Sequence, residues 1–318
     1  MKILYISNQG FNESEPGNPV IHNLIISLRN NSKVKDIDFI KFNYTLSCVR
    51  KIVSSKNNYN IIHIHFGGFY AFLVGLLLYK SRAKRIITFH GTDIHGIISK
   101  NNGNIGLKIK AKINRIFSLL SCFLFDKIGF VSKTLQNFCG IKTESHFIQS
   151  LGVNYDSFKE LNKIEAKKKL KLNVNHKFLL FSSISSNPVK RYDLAEEILV
   201  NLPSNFEIIT MSNIIYSDVP LYISACDALL ITSDSEGSPN IVRECLALNR
   251  PIFSYDVGDV KKYLELTKNS KIIPKDTQKA ASIIQYQLNK QIIENTRISM
   301  RYLLSNELIL SELISIYE

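Results

Sequence analysis

A chain of 318 residues, 45% of them hydrophobic, can bury at least one sizeable core and has room for one to three domains. Its five cysteines (Cys48, Cys122, Cys139, Cys226 and Cys245) show no paired spacing, which argues against a disulfide framework or a structural zinc site, and no apolar run reaches the roughly 18 residues that a membrane span needs. The formal net charge of +13 lies wholly in one half: residues 1–150 hold 20 Lys and Arg against 7 Asp and Glu, whereas residues 151–318 hold 20 of each, so two units with different surroundings are expected.

The chain opens on KILYIS (2–7), which is strand length and turns polar at once, unlike a secretion signal; the protein is expected to stay in the cytoplasm. In the EPGNP turn that follows (15–19), Gly17 lets the backbone approach a ligand closely. Further strands are expected at IDFIKF (37–42), IIHIHF (61–66), RIITFH (85–90), KIGFVS (127–132) and HFIQS (146–150), with helices near 19–30, 45–56, 69–80, 105–124 and 133–139. Such alternation implies an α/β fold with a doubly wound parallel sheet and ligands at the C-terminal strand ends.

Within this half, Asp36 and Asp38 share a strand face and could mimic a metal-binding acid pair, as could DSE (234–236) later. His63 and His65 share a face with Ile61 and read as packing residues. TFHGTD sets His90 and Asp93 directly after a strand; the pair could bind a hydroxyl or steer a proton, the plainer alternative being that His90 is a satisfied structural residue. Much of the basic excess sits in YKSRAKR (79–85) and in the amphipathic LKIKAKINRIF (107–117). A helix of the second kind suits an anionic lipid surface or a solvated face; no nucleic-acid partner is expected, because no DNA- or RNA-binding signature accompanies it.

A polar, Lys-rich stretch from Asn154 to Asn175 reads as a linker. A second strand series follows: KFLLFSS (177–183), FEIIT (206–210), ALLITS (228–233), PIFSYDV (251–257) and KIIP (271–274), before two helical patterns without a strand after Asp276. After the first of these strands, NPVKRYD presents Lys190 and Arg191, cations suited to neutralising a diphosphate.

SDSEGSPNIVRECLALNRP (233–251) holds one helix with both stops: Ser238 as N-cap, Pro239 at the first helical position and Asn249 as the left-handed closing residue. At about 100° per residue, Ile241, Val242, Cys245, Leu246 and Leu248 share one face; Asn240, Glu244 and Ala247 lie on another with Arg243 at its edge, so Glu244 is expected outside the core. Glu236 precedes the helix start, where free N–H groups and the positive dipole end favour an anion. Together these suit a ligand with phosphate and hydroxyls; the plainer alternative is a β–α turn with a solvated Glu244.

The motifs of P-loop NTPases, dinucleotide enzymes, zincins and serine hydrolases are absent. EGSPNIVRECLALNRPIFSYDVGDV resembles instead the E-x7-E signature of family 4 glycosyltransferases, with support from the Gly turn at 16–18, HIHFGG, TFHGTD, FVSKTL, LGVNYDSF and VKRYDLA; the likeness is nearest to the cell-envelope polysaccharide branch, including teichuronic-acid-type enzymes. The resemblance implies a retaining enzyme of GT-B fold, two Rossmann-like doubly wound domains facing across a cleft. They would be residues 1–155 on the acceptor side and 176–292 for the nucleotide sugar, joined by a linker at 156–175, with 293–318 crossing back to the first. It implies Glu236 on the donor sugar's hydroxyls, Glu244 on the nucleotide ribose, and backbone amides near Pro239, Asn240 and Ile241 on the diphosphate. Lys190 would counter the diphosphate charge, Gly17 would bring the N-terminal loop against the phosphates, and His90 would stand beside the reacting centre.

Asp93, Arg191 and Ser238 complete the donor set; no cofactor and no essential metal are expected. The donor would be UDP- or GDP-linked and the acceptor a lipid-linked or oligosaccharide glycan, with the basic first domain on the anionic inner face of the cell membrane. SSISSNPVK lacks the family's Gly-Arg before the phosphate-binding Lys, so either Arg191 compensates or Lys190 acts with the helix alone. GVN stands for the common GVD, and the short segment after FEIITMS leaves the base-recognition loop near Ser212 to Tyr216 unmapped. A catalytically inactive nucleotide-sugar-binding partner or a GT-B sugar epimerase is the alternative reading.

Overall fold

Aliphatic runs without polar alternation need cover on both faces, and parallel sheets flanked by helices provide it. The computed structural model of the chain describes residues 1–9, 19–96, 105–141, 143–183, 187–212, 214–290, 292 and 294–318. It divides into two units, one made from the described residues of 1–151 and 306–318, the other from those of 152–305.

Unit 1 carries six parallel strands, β1 (Lys2–Ser7), β2 (Asp36–Lys41), β3 (Ile61–His65), β4 (Lys84–Phe89), β5 (Lys127–Phe130) and β6 (His146–Ile148), in the order β2-β1-β3-β4-β5-β6. Its helices in chain order are α1 (Pro19–Arg29), α2 (Leu46–Ser55), α3 (Phe69–Leu77), α4 (Thr92–His95), α5 (Ile105–Ser121) and α6 (Lys133–Cys139). Because side chains alternate along a strand, Leu4 and Ile6 of β1 enter one core with Ile52 and Val74 from α2 and α3, while Ile3 and Tyr5 enter another with Ile25 and Leu28 from α1. Local chemistry sets the helix ends: Thr45 caps α2 through Cys48 N–H, Ser132 caps α6 through Leu135 N–H, and α6 stops on left-handed Gly140.

Unit 2 carries five parallel strands, β7 (Lys177–Phe181), β8 (Phe206–Thr210), β9 (Ala228–Ile231), β10 (Ile252–Ser254) and β11 (Lys271–Ile272), in the order β8-β7-β9-β10-β11. Its helices are α7 (Lys163–Lys169), α8 (Tyr192–Val200), α9 (Val219–Ala225), α10 (Asn240–Ala247), α11 (Val260–Leu264), α12 (Thr277–Asn289), α13 (Thr296–Ser299) and α14 (Arg301–Leu304). One sheet face packs on residues of α9 and α10, the other on residues of α8 and α12. In each unit the strand order reverses between the first strand and the third, where doubly wound folds hold their ligands.

The Lys-rich stretch expected to be a linker belongs to unit 2. Within it, Lys167 of α7 is only 4% exposed, because its Nζ reaches Asp227 (3.3 Å) and the carbonyl of His176 (2.6 Å), and Lys163 pairs with the same carboxylate at 2.7 Å. Nor does the segment after residue 292 leave unit 2 as a whole: Thr296 donates to the Leu246 carbonyl (2.6 Å), and Met300 and Leu304 lie in the unit 2 core. The return to unit 1 starts at α15 (Asn306–Tyr317), whose Leu313, Ile314 and Tyr317 pack with Ile3 and Tyr5. Among the described residues no helix is long and apolar enough to cross a membrane.

Candidate functional site

At the switch point of unit 2 the loops after β7 and β9 meet. A 3-10 turn, Pro188–Lys190, follows β7 and is capped by the Asn187 side chain. Thr232, just past β9, donates to the carbonyls of Lys190 (3.1 Å) and Arg191 (2.9 Å), and Asp234 N–H donates to the Val189 carbonyl at 2.9 Å. So tied, Lys190 Nζ lies 2.7 Å from Glu236 Oε1, and Ser233 Oγ donates to the same oxygen at 2.6 Å. Glu236 and Lys190, chosen on sequence as partners around one ligand, are therefore brought together, in a sheltered position where a charge-assisted hydrogen bond is strong. The 257–259 loop buttresses them: Gly258 has φ +58, and a Cβ there would stand 2.8 Å from the Gly237 carbonyl oxygen and 3.1 Å from that of Glu236.

Arg191 is not free to join Lys190. Its guanidinium donates to Asp193 at 2.7–3.1 Å and to Asp234 at 3.3 Å, and these carboxylates, Asp193 foremost, raise its pKa further. Arg191 is thus engaged with Asp193 and Asp234, while Lys190 Nζ faces Glu236.

The helix start also differs from expectation. Pro239, extended at φ −69 and ψ 120, is the flanking residue rather than the first helical one; α10 begins at Asn240 and no side chain caps it. Ser238 is not the N-cap, because its hydroxyl accepts from Arg243 Nη1 (2.6 Å) and donates to Asp259 Oδ2 (2.8 Å). Arg243, placed at the edge of an outer face by periodicity, is wholly buried at 1% exposure. Ile241 is buried and Asn240 half-buried beside it. At the far end the expected closure holds, with Asn249 left-handed at φ 56.

Glu244 lies off the aliphatic face, as periodicity predicts, yet it is buried rather than solvated. Tyr216, from the segment that sequence reasoning left unmapped, donates to Glu244 Oε1 at 2.9 Å. Burial pushes the Glu244 carboxyl up to about 7, against the opposing pull of the Tyr216 hydroxyl and the Arg243 charge.

Unit 1 gathers polar groups at its own strand ends. His90, half-buried after β4, lies with Nε2 2.9 Å from His65 Nδ1, and the Phe66 ring packs against it. Asp93, expected to face a ligand, is instead consumed by backbone: its carboxylate accepts from the amides of Gly67, His90, Gly91 and Ile94 at 2.7–3.2 Å. The loop amides of Gly67, His90 and Gly91 need an acceptor, which explains why an acid stands there. His63 and His65 pack as expected, but His63 also hydrogen-bonds Tyr317 (2.6 Å) and Thr88 (2.8 Å), a network that alternation along a strand cannot reveal. Burial pushes His63 down to about 3, His65 well below its ordinary value and His90 to about 4, so all three are neutral at neutral pH. Gly17 lies outside the described residues. Among those residues Asp38 accepts from Tyr59 (2.7 Å), and no group of three or more His, Cys, Asp or Glu is arranged to hold a metal ion.

No family model matches the chain. Over 265 residues it is 23% identical to TuaC of Bacillus subtilis, a protein named for glycosyl transfer in teichuronic acid biosynthesis; the match spans 77% of this chain and 66% of that protein. The solved structure of HepE from Anabaena in complex with UDP and glucose superposes with a TM-score of 0.76 at 15% identity, covering 99% of this chain and 98% of that one. Sucrose-phosphate synthase from Thermosynechococcus elongatus gives 0.74 at 14% identity, with 99% and 98% covered. These likenesses bear out the expected fold class: α/β, two Rossmann-like parallel-sheet domains of GT-B type.

Proposed function

We propose that the chain is a glycosyltransferase that takes its sugar from a nucleotide sugar held by unit 2. The observation that carries this reading is the Lys190–Glu236–Ser233 cluster at the switch point, in the same stretch as the uncapped start of α10. A sugar nucleotide offers hydroxyls for a carboxylate and a diphosphate for an ammonium group and helix amides. HepE, of the same fold, was solved with UDP and glucose, and TuaC is named as a glycosyltransferase.

In this reading Glu236 binds donor sugar hydroxyls, Glu244 the ribose, and the amides near Pro239, Asn240 and Ile241 the diphosphate. The bond from the anomeric carbon to the diphosphate oxygen breaks with its electron pair going to that oxygen; Lys190 and the helix start stabilise the charge. The acceptor hydroxyl oxygen bonds to the anomeric carbon from the same face, which retains configuration, and its proton passes to the leaving phosphate. Lys190 and the amides, rather than a metal ion, carry the neutralisation, and His90 of unit 1 acts beside the reacting centre. A family 4 enzyme adding a hexose from a UDP- or GDP-linked donor to a surface polysaccharide, of the teichuronic-acid type, fits these roles.

The test is a thermal-shift panel of nucleotides and nucleotide sugars, since a ligand that binds only the folded form raises its melting temperature. The donor so found should release its nucleoside diphosphate only when an acceptor is added, and should do so in EDTA. Absence of any shift would remove the proposal. Binding without release would instead support an inactive partner, for which the isolation of Lys190 from Arg191 speaks, and an isomerised sugar an epimerase.

The acceptor is proposed to be lipid-linked and reached from the inner face of the cell membrane. On α5 the exposed side chains of Ile105, Ile109, Ile113, Ile116 and Leu120 recur every three or four residues, forming one apolar stripe, with exposed Lys108 and Lys112 beside it. Vesicles containing anionic lipid should carry the protein upward on flotation at low salt and less so at about 0.5 M, where screening shortens charge attraction. Failure to float at low salt, or equal flotation of Ile109→Glu/Ile113→Glu, would count against this surface.

A further inference from the structure

Arg243 is the largest of the wholly buried side chains, and it sits inside the corner to which the proposed function assigns the diphosphate; the inference rests on that reading. Its Nη1 donates to Ser238 Oγ (2.6 Å) and to Tyr263 OH (3.2 Å), and its Nη2 donates to the Ser238 carbonyl (3.2 Å) and to Asn240 Oδ1 (2.6 Å). The guanidinium thus grips the chain on both sides of Pro239.

Two of the oxygens it holds, Ser238 Oγ and Asn240 Oδ1, are of the kinds that best cap a helix by accepting from first-turn amides. Held by Arg243, neither caps α10, although Ser, Pro and Asn in this order would ordinarily supply a cap. The cation is also poorly screened, being out of water. Asp259, linked to it through Ser238 Oγ at 2.8 Å, offsets part of its charge, though burial pushes that carboxyl up. Arg191 supplies no such charge, being paired with Asp193 and Asp234.

We infer that Arg243 is a positioning residue of the diphosphate site: it withholds both capping oxygens so that the first amides of α10 remain for an anion, and it adds a second positive charge from beneath. It touches no part of the ligand. Its signature is therefore selectivity for the diphosphate over the nucleoside that carries it.

The test measures, by calorimetry on the full chain, the affinities of UDP and uridine, or of GDP and guanosine if the panel favours guanine. In Arg243→Met the diphosphate-over-nucleoside ratio should fall about tenfold while nucleoside affinity holds, because the freed Ser238 or Asn240 now caps the helix and one charge is gone. Arg243→Lys keeps a buried cation but spans only one of the two oxygens, so its ratio should fall about threefold even if the Met variant fails to fold. A wild-type ratio in Arg243→Lys, or a parallel fall for nucleoside and diphosphate, would overturn the assignment. A wild-type protein that binds neither diphosphate would overturn it together with the donor reading, whereas binding with an unmoved ratio would overturn Arg243 alone.

Discussion

Replacing Lys190 with alanine should lower acceptor-dependent release of the nucleoside diphosphate by about 10²–10³-fold, the usual cost of removing one preorganised group that stabilises charge formed in the transition state. The side chain is sheltered, with 24% exposure, so water does not readily substitute for it. With Arg191 paired elsewhere, no neighbouring guanidinium is free to take over. Glu236→Ala should fall by a similar factor for a different reason: Lys190 loses its 2.7 Å anchor, and the donor sugar loses an acceptor for its hydroxyls. The effect should lie mainly in kcat for Lys190 and be shared between kcat and KM for Glu236, since the lysine acts on charge that appears only as the bond breaks. Circular dichroism should stay close to wild type, because the cluster lies in the loops past β7 and β9 and neither change removes a core side chain. Turnover within a few-fold of wild type in both variants would leave the switch-point cluster without a catalytic role, and His90→Ala equally active would remove His90 as well.

Why Lys190 and Glu236 could be paired from sequence, and Arg243 could not, is a matter of range. Lys190 and Glu236 each follow a recognisable buried strand, and in a doubly wound sheet the loops after first and third strands converge whatever their detailed shape. Asn249 was equally legible, since a helix needs a left-handed residue to stop and Asn tolerates that conformation. A helical wheel describes a helix alone in solvent; it sets Arg243 on an edge because it holds no information about Tyr263 and Asp259, which cover that edge from 20 and 16 positions further along the chain. Burial of Glu244 was hidden for the same reason, its partner Tyr216 lying in a segment with no period to read. Ser238 was a good cap by type, and only the competing guanidinium shows why it caps nothing.

The fold was legible to within a residue or two wherever strands are aliphatic, as in KILYIS and FEIIT, because such runs have few alternatives to burial between helices. Misreadings fell where charge was taken for exposure. Residues 163–169 read as part of a Lys-rich linker, yet Lys167 is buried against an acid 60 positions away that no local pattern connects to it. Tyr317, at the end of the chain, hydrogen-bonds Tyr5 and His63 near its beginning, and nothing in the helical pattern of the last residues announces that bond.

Acid should open unit 1 before unit 2. In unit 1 the folded state holds His63, His65 and His90 neutral below their ordinary value of 6.5, His63 down to about 3 and His90 to about 4, and His146 is lowered in the same direction. An unfolded chain binds these protons as the pH falls through 6.5 while the folded one does not, so the stability present above 6.5 is lost on the way down. Holding the buried His63 neutral at pH 5 costs about 2 kcal/mol, and His65 and His90 add to this in the same direction, a sizeable share of the whole stability of a domain. Unit 2 moves the other way over the same interval: Glu244, raised from 4.5 to about 7, and Asp259, also raised, are protonated more readily when folded, which adds stability as the pH drops.

The hydrogen-bond chain says where unit 1 should fail. Thr88 Oγ1 donates to Gln149 Oε1 (2.6 Å) and so accepts from His63 Nε2–H, leaving His63 Nδ1 bare to accept from Tyr317 OH, which accepts in turn from Tyr5 OH. A proton added at Nδ1 forces Tyr317 to reverse against Tyr5, loosening α15 from β1. Hydrogen exchange read by mass spectrometry at pH 7.5, 6 and 5, corrected for intrinsic rates, should therefore show peptides of β1, β3 and α15 losing protection first, while β7, β9 and β10 hold. If β7 and β9 open first, or all strands weaken together, the neutral imidazoles do not govern acid stability.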